Sequence, residues 1–226
     1  NATVAKDDYK KQLPQLQSAL RKQAWAAWRK KRATVVVFEG WDASGKGGAI
    51  RRLASGLDAR LYRIVQYAAP TDVERRYPYL WRFWRDLPRD GRIVIFDRSW
   101  YGRVLVERVE GFASHHDWQR AYREINAFEN ELVRHGVQIA KFWLHISPEE
   151  QLARFKDREE TPYKQHKITD EDWRNREKWD DYLAAVNEMV FRTSTEYAPW
   201  TLVSANDKRH GRIQVLKHMI KLLKDQ

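Results

Sequence analysis

The sequence predicts an α/β fold built on one parallel β-sheet, and two observations carry this prediction. Five apolar segments rich in β-branched residues recur along the chain: TVVVFEG, LYRIVQYA, RIVIFDRS, QIAKFWLHIS and WTLVSAN. Each is separated from the next by a segment long enough for a helix. Strands buried on both faces are continuously apolar, and crossover helices make successive strands parallel.

Helical segments are predicted before, between and after these strands. Gly136 is a good stop for the helix that precedes the fourth strand, and Ile213, Leu216, Ile220 and Leu223 recur at helical spacing near the end of the chain. The predicted helical regions are residues 10–31, 47–57, 72–86, 115–136, 148–193 and 211–226. Since no internal repeat or low-complexity linker interrupts them, we expect a single domain over residues 1–226.

Composition limits the classes of function. The net charge of +11 and the pI of about 9.8 favour polyanionic partners, although surface Lys and Arg can also simply solubilise a protein. The absence of cysteine excludes thiolate chemistry and indicates a reducing compartment. The sequence has no signal peptide and no apolar run of membrane-spanning length, so we expect a cytoplasmic protein without a membrane partner. Because the sequence lacks an initiating Met, it is open whether it was cut from a longer chain.

Residues 38–52, FEGWDASGKGGAIRR, contain a phosphate-binding loop. Gly40, Gly45 and Lys46 match the spacing G-x-x-x-x-G-K, with a predicted strand before the loop and a helix after it. The backbone N–H groups of Gly45 to Gly48 would surround a phosphate, and Lys46 would offset its charge. Gly47 occupies the position where Ser or Thr usually binds the magnesium ion.

Two aspartates can replace that missing hydroxyl. Asp42 lies inside the loop, and Asp97 ends the third predicted strand, at the sheet edge where open α/β folds bind ligands. Magnesium prefers oxygen ligands and retains several waters, so these carboxylates predict a Mg²⁺ site, with Mn²⁺ as an alternative. For Asp42, a turn-forming role remains open.

Two arginines follow the same strand end. The guanidinium groups of Arg98 and Arg103 can bind phosphate oxygens bidentately where negative charge develops. Surface salt bridges are the alternative for both.

Six motifs together resemble the type-2 polyphosphate kinase family: GWDASGKGG, PTDVERRYPYLWRFWRDLP, FDRSWYGRVLVERVEGF, RNREKWDDY, RTSTEYAPW and ANDKR. They run in order from about Lys31 to near the C-terminus. The resemblance implies a P-loop kinase fold, a three-layer sandwich related to thymidylate kinase, with a helical lid at about residues 150–180. It also implies reversible, magnesium-dependent phosphoryl transfer between inorganic polyphosphate and a purine nucleotide.

Within this family, the sequence is most similar to the group that phosphorylates AMP to ADP. Some members of that group carry two such domains, so the chain would fit one half of a tandem protein. The resemblance assigns Asp42 and Asp97 to the metal and catalytic aspartates, Lys46 to the loop lysine and Arg98 to the strand-end arginine. On the acceptor-nucleotide side we place Thr71, Glu74, Arg98 and Arg103.

The lid segment and the end of the chain supply further candidates. Because the family's lid faces polyphosphate, we expect lid side chains to contact the polyphosphate, and Arg174 to reach the transferring phosphate. A salt-bridged, exposed pair of helices is the alternative for this mixed-charge segment. Beyond the last strand, Lys208 and Arg209 are candidate phosphate contacts, unless the turn only caps a helix through Asn206 or Asp207. The lid residues expected to contact polyphosphate are Arg154, Lys156, Lys164 and Lys167.

Other functions remain open at this stage. The acceptor could be ADP or GDP. An ATP-dependent nucleotide kinase would share the loop and Asp97, but it should prefer Ser or Thr in place of Gly47. A nucleic-acid-binding module would explain the charge and the 11 Trp, but it would leave Lys46 and the carboxylates unexplained. We therefore expect no nucleic-acid partner, and a homo-oligomer would fit the family.

Overall fold

The computed structural model describes residues 2–224, apart from the side chains of residues 164 and 167. All five predicted strands form, and they pair in parallel into one sheet with the order β2-β3-β1-β4-β5. The strands are β1 Thr34–Gly40, β2 Tyr62–Gln66, β3 Ile93–Asp97, β4 Gln138–His145 and β5 Trp200–Ser204.

Burial follows from the position of each strand in the sheet. The central strand β1 is buried from Thr34 to Glu39, and β4 is buried along all but its last residue. The edge strands β2 and β5 are more exposed, and residues such as Arg63 and Thr201 lie within them. The three inner strands are therefore mainly apolar and buried along almost their whole length, as expected for a sheet covered on both faces.

The helices fall into two packing groups. Helix α1 contacts α2 and α9, while α5 contacts α8. The helix bounds are α1 Lys6–Arg29, α2 Lys46–Ser55, α3 Trp81–Trp84, α4 Val106–Val109, α5 His115–Arg134, α6 Pro148–Glu160, α7 Asp170–Glu177, α8 Trp179–Thr193 and α9 Lys208–Lys224. Short 3₁₀ helices are Glu74–Arg76, Trp100–Val104 and Pro162–Lys167. No helix within residues 2–224 is long and apolar enough to cross a membrane.

The prediction of one helix over residues 72–86 is wrong. Only a 3₁₀ turn at Glu74–Arg76 and the one-turn helix α3 form there. Tyr77 is extended, at φ −114° and ψ 160°, because it precedes Pro78. Proline disfavours the helical conformation in the residue before it and has no N–H to donate, so one long helix cannot run through this point.

The polar stretch 148–193 forms three α-helices, α6, α7 and α8, and one 3₁₀ helix. Helix α6 ends before Thr161, the 3₁₀ helix Pro162–Lys167 follows, and α7 begins after Thr169. The Thr169 hydroxyl and the Asp172 carboxylate form a reciprocal capping box. Such caps satisfy backbone groups that helix ends leave unpaired, so local residues define these boundaries.

Candidate active site

The phosphate-binding loop joins β1 to α2 and is constrained by two glycines. A Cβ on Gly40 would lie 2.7 Å from the carbonyl oxygen of Leu144, so only glycine fits this approach to β4. Gly45 has φ +96° and is the N-cap of α2. This left-handed conformation directs the chain into the helix, whose first N–H groups, including those of Gly47 and Gly48, provide an anion-binding terminus.

Gly47 leaves space at the loop. A Cβ at this position would meet no described atom within 4 Å. The protein's own packing therefore does not require glycine here. The opening lies beside the helix terminus, where a phosphate ligand would be placed.

The loop lysine and the strand-end aspartate meet across this site. Lys46 Nζ lies 3.2 Å from Asp97 Oδ1, and about a fifth of each side chain is exposed. Asp97 is adjacent to Phe38 in the pairing of β1 with β3. Parallel pairing therefore brings together a cation and a carboxylate that are 51 residues apart in the sequence.

Asp42 contacts the lid from inside the loop. Its carboxylate accepts a hydrogen bond of 2.9 Å from the Asn175 side chain, and its backbone oxygen accepts one from Gln151. Burial raises the pKa of Asp42, and the hydrogen bond from Asn175 opposes this shift. The charged carboxylate is therefore poorly solvated, a state that a bound cation would relieve.

The donor set fits magnesium. Asp42 and Asp97 offer hard oxygen ligands, and no cluster of three or more acidic, histidine or cysteine side chains occurs among the described residues. Magnesium commonly binds through one or two carboxylates and completes its shell with waters and substrate phosphates. Two carboxylates beside a phosphate-binding loop match that chemistry.

A buried carboxylate that sequence reasoning missed, Glu39, lies near Lys46 and Asp97. Glu39 is 6% exposed and accepts a 2.8 Å hydrogen bond from the Ser99 hydroxyl. Burial raises its pKa, while Lys46 and Arg98 lower it. The signal available in the sequence was an acidic residue at the end of a mainly apolar strand, three positions before Asp42. Glu39 links the end of β1 to the segment after Asp97.

The two predicted arginines have different surroundings. Arg98 is exposed and has φ +66°, a left-handed conformation that is uncommon for a residue with a side chain. Such strain is found preferentially at functional positions. Arg103 Nε pairs with Glu107 at 2.6 Å, and its guanidinium lies over the Tyr79 ring. Arg103 thus makes the salt bridge considered as its alternative role.

Thr71 and Glu74, the predicted nucleotide contacts, bond to each other. The Thr71 N–H donates to the Glu74 carboxylate at 2.9 Å, and the Glu74 N–H donates to the Thr71 hydroxyl. Glu74 also pairs with Arg82 at 3.5 Å. These contacts close a turn that leads into the short 3₁₀ helix, and nucleotide binding by either residue stays a prediction.

The predicted lid cations are in contrasting environments. Arg154 is 5% exposed and donates to Glu150 and to the backbone oxygens of Ala43, Ala205 and Asn206. A guanidinium has five N–H donors, so four are directed into the protein and at most one is left for a phosphate. Arg154 therefore ties the loop to the segment after β5, and its predicted contact with polyphosphate is untested.

The other lid cations lie farther out. Lys156 is exposed on α6. Arg174 is about half exposed and pairs with Glu110 at 3.3 Å, a carboxylate that Lys178 also contacts at 2.9 Å. The side chains of Lys164 and Lys167 lie outside the described residues.

Lid and loop also meet through an aromatic pair that the sequence analysis did not identify. The rings of Trp41, in the loop, and Trp179, at the start of α8, stack at 3.8 Å with an interplanar angle of 9°. Together with the bond from Asn175 to Asp42, this stack holds α7 and α8 against the loop.

The segment after β5 adds positive charge near the loop. The side chain of Lys208 would be 3.7 Å from a Cβ on Gly45, and Arg212 Nη2 would be 3.0 Å from one on Gly48. Arg212 was missed, although it follows Lys208 by four residues and hence shares its helix face. Arg209 instead pairs with Asp207, which accepts the Arg209 and His210 N–H groups and so caps α9. Asp207 thus acts as the cap that one alternative predicted, and phosphate binding by Lys208 and Arg209 stays a prediction.

The arrangement combines the parts that phosphoryl transfer requires. A helix N-terminus and Lys46 can hold a phosphate, Asp42 and Asp97 can hold a metal ion, and Arg98 can offset charge on a transferring group. This chemistry depends mainly on positioning and charge neutralisation.

Comparisons with known proteins agree with this chemistry. The profile of the family Polyphosphate kinase 2 matches residues 3–226. The chain is 58% identical over 214 residues to the polyphosphate:AMP phosphotransferase of Pseudomonas syringae pv. tomato, covering 95% of this chain and 43% of that protein. It is 42% identical over 215 residues to the ADP-polyphosphate phosphotransferase 2 of Rhizobium meliloti, covering 95% of this chain and 70% of that protein.

Solved structures give the same result for the fold. A crystal structure described as polyphosphate kinase 2 from Pseudomonas aeruginosa matches with a TM-score of 0.96 and 55% identity, covering 99% of this chain and 49% of that one. The polyphosphate kinase 2 of Arthrobacter aurescens matches with a TM-score of 0.94 and 33% identity, covering 99% of this chain and 81% of that one. The predicted P-loop kinase fold is confirmed. The chain spans less than half the length of the Pseudomonas phosphotransferase, and it belongs to the polyphosphate kinase 2 family.

Proposed function

We propose that this protein transfers a phosphoryl group between inorganic polyphosphate and a nucleotide, with AMP as the preferred acceptor and Mg²⁺ as cofactor. The observation that carries the proposal is the site itself, where a phosphate-binding loop without the usual Ser or Thr places Lys46 beside Asp97 and includes Asp42. The preference for AMP is supported by the 58% identity to a polyphosphate:AMP phosphotransferase, against 42% to an ADP-polyphosphate phosphotransferase.

The reaction exchanges one phosphorus–oxygen bond for another. An oxygen of the AMP phosphate attacks the terminal phosphorus of polyphosphate, the anhydride bond to the next phosphate breaks, and the shortened chain leaves with that bridging oxygen. The attacking phosphate has a second pKa near 6, so most of it is already deprotonated at neutral pH. The protein therefore needs to supply alignment and charge compensation more than a strong base.

Each part of the site has a role in this proposal. The N–H groups at the start of α2 and Lys46 bind the terminal phosphate, and Arg98 offsets the charge that spreads over the transferring group. Asp42 and Asp97 hold the magnesium ion, which when bound neutralises phosphate oxygens. Asn175 orients Asp42 by donating to its carboxylate at 2.9 Å.

The test is product analysis by chromatography. The protein is mixed with Mg²⁺, long-chain polyphosphate and AMP or ADP, with ATP tested separately as an alternative donor. We expect ADP from AMP, and a loss of rate of about 10² to 10⁴-fold in Asp97→Asn, a range typical of lost charge-stabilising or proton-transfer groups. Asp8→Asn, an exposed aspartate on α1, is the matched control and should keep full activity.

The products distinguish the alternatives. Faster formation of ATP from ADP would replace AMP with ADP as the preferred acceptor. Transfer from ATP but not from polyphosphate would contradict the proposed donor. An Asp97→Asn variant as active as Asp8→Asn would contradict the proposed site.

A further inference from the structure

A second cationic site lies at the opposite end of the sheet from the phosphate-binding loop. A cleft of about 510 Å³ opens between the amino ends of β2 and β3 and the segment 85–92. Strand β3 enters at Ile93 beside the cleft and ends at Asp97 in the candidate active site. Four residues of strand separate these points by about 13 Å. The cleft therefore shares no lining residue with the active site.

Arginine dominates the lining of this cleft. Two of the arginines are neutralised locally, because Arg60 pairs with Asp58 at 3.0 Å and Arg63 pairs with Asp86 at 2.8 Å. The arginines that line the cleft are Arg60, Arg63, Arg85, Arg89 and Arg92.

Three of the five make no ion pair with any carboxylate in the part of the chain that the structure describes: Arg85, Arg89 and Arg92. These arginines lack an ion pair among the described side chains although Asp90 lies between Arg89 and Arg92 in the sequence. The guanidinium of Arg85 lies over the Trp81 ring, 4.9 Å from its centroid, which limits its orientations. The cleft thus holds a net positive charge that no described carboxylate balances.

The rest of the lining indicates the chemistry of the ligand. Among the uncharged lining residues, Leu61, Ile93 and Val94 are buried, so Leu87 and Pro88 supply the accessible aliphatic wall and Tyr62 is the aromatic contribution. Proteins that bind single-stranded nucleic acid combine cations with aromatic platforms for successive bases. Guanidinium groups on aliphatic walls instead suit a ligand recognised by repeated phosphate oxygens alone.

We propose that this cleft is a second binding site for inorganic polyphosphate, which holds chain phosphates remote from the reacting end. The inference rests on the proposed function, because it takes its ligand from that reaction. A polyphosphate molecule bound at one site has a raised effective concentration at the other, provided that it is long enough to span both sites. The cleft should therefore affect long chains and leave short ones unaffected.

The test compares two double variants that remove the same charge. Arg85→Gln/Arg89→Gln removes two exposed cations of the cleft, and Arg123→Gln/Arg134→Gln removes two exposed cations of α5. We expect the KM for long-chain polyphosphate to rise at least about fivefold in the cleft variant, because binding at the cleft no longer raises the effective concentration of the polyphosphate at the active site. The KM for tripolyphosphate, the KM for AMP and kcat should stay unchanged, and the α5 variant should resemble the wild type.

Several results would overturn the proposal. These are an equal change in both double variants, an equal rise for tripolyphosphate, or an unchanged KM for long chains. Loss of binding to a single-stranded oligodeoxynucleotide with unchanged polyphosphate binding would reassign the cleft to nucleic acid. If the wild type transfers no phosphate from polyphosphate, the proposed function fails, and direct binding of fluorescent long-chain polyphosphate to the two variants still tests the cleft.

Discussion

Substitution of the buried carboxylate Glu129 should strongly destabilise the fold. Glu129 and Lys141 are both 0% exposed, and their charged groups are 2.7 Å apart. Lys141 Nζ also donates to the Tyr101 hydroxyl at 2.8 Å and to the Thr193 backbone oxygen at 2.7 Å, so its three protons all have acceptors. Glu129 in turn accepts hydrogen bonds from Tyr101 and Trp100.

The expected magnitude follows from this burial. Burial raises the pKa of Glu129 and lowers that of Lys141, the direction expected when each charged form is removed from water. In Glu129→Gln the shape is kept but the ammonium loses its counter-charge, and breaking a buried pair in this way destabilises by about 3–5 kcal/mol. The double variant Glu129→Gln/Lys141→Met removes both charges, so it should be more stable than the sum of the two single changes predicts.

The assay is denaturant unfolding followed by tryptophan fluorescence, with free energies of unfolding compared in a double-mutant cycle. Glu124→Gln is the matched control, because Glu124 lies on the same helix and pairs at 2.6 Å with Arg120 at a partly exposed site. Its loss should cost less than about 1 kcal/mol. A cost below about 1 kcal/mol for Glu129→Gln, or additive single changes in the cycle, would refute the reasoning.

Three further predictions concern the loop, the lid and a surface carboxylate. Gly40→Ala should lower stability by about 1–3 kcal/mol, because its Cβ would lie 2.7 Å from a backbone oxygen of β4; an unchanged melting temperature would contradict this. Asn175→Ala removes the donor to Asp42, so the Mg²⁺ concentration for half-maximal activity should rise. An unaltered Mg²⁺ dependence would exclude this positioning role. Hydrogen bonds from Arg60 lower the pKa of Asp58 to about 2, so the stabilisation that its ionised form provides should be complete above its unfolded pKa and be lost as pH falls through about 2. NMR titration should measure this value and find it raised toward about 3.9 in Arg60→Gln, which loses the side-chain bonds but keeps the backbone N–H bond to Asp58, whereas equal values in the two proteins would argue against the pairing.

The sequence by itself determined the strands and the phosphate-binding loop. Both depend on local information, since a strand buried on both faces needs a continuous apolar run and the loop needs glycines at fixed spacing before a helix. The positions of Lys46 and Asp97 at one edge of the sheet followed from the same pattern, because parallel strands end together. The prediction of one helix over residues 72–86 was wrong because Pro78 disfavours the helical conformation in the residue before it.

The tertiary structure alone decided which side chains meet. Asn175 reaches Asp42 across 133 residues of sequence, and Trp179 stacks on Trp41. Arg154, interpreted from the sequence as a lid cation, is turned inward to backbone oxygens that come from two separate loops. Lys141, a charged residue within the fourth strand, is the centre of a buried network. Such partners depend on how helices pack against the sheet, and the spacing of residues along the chain does not encode that packing locally.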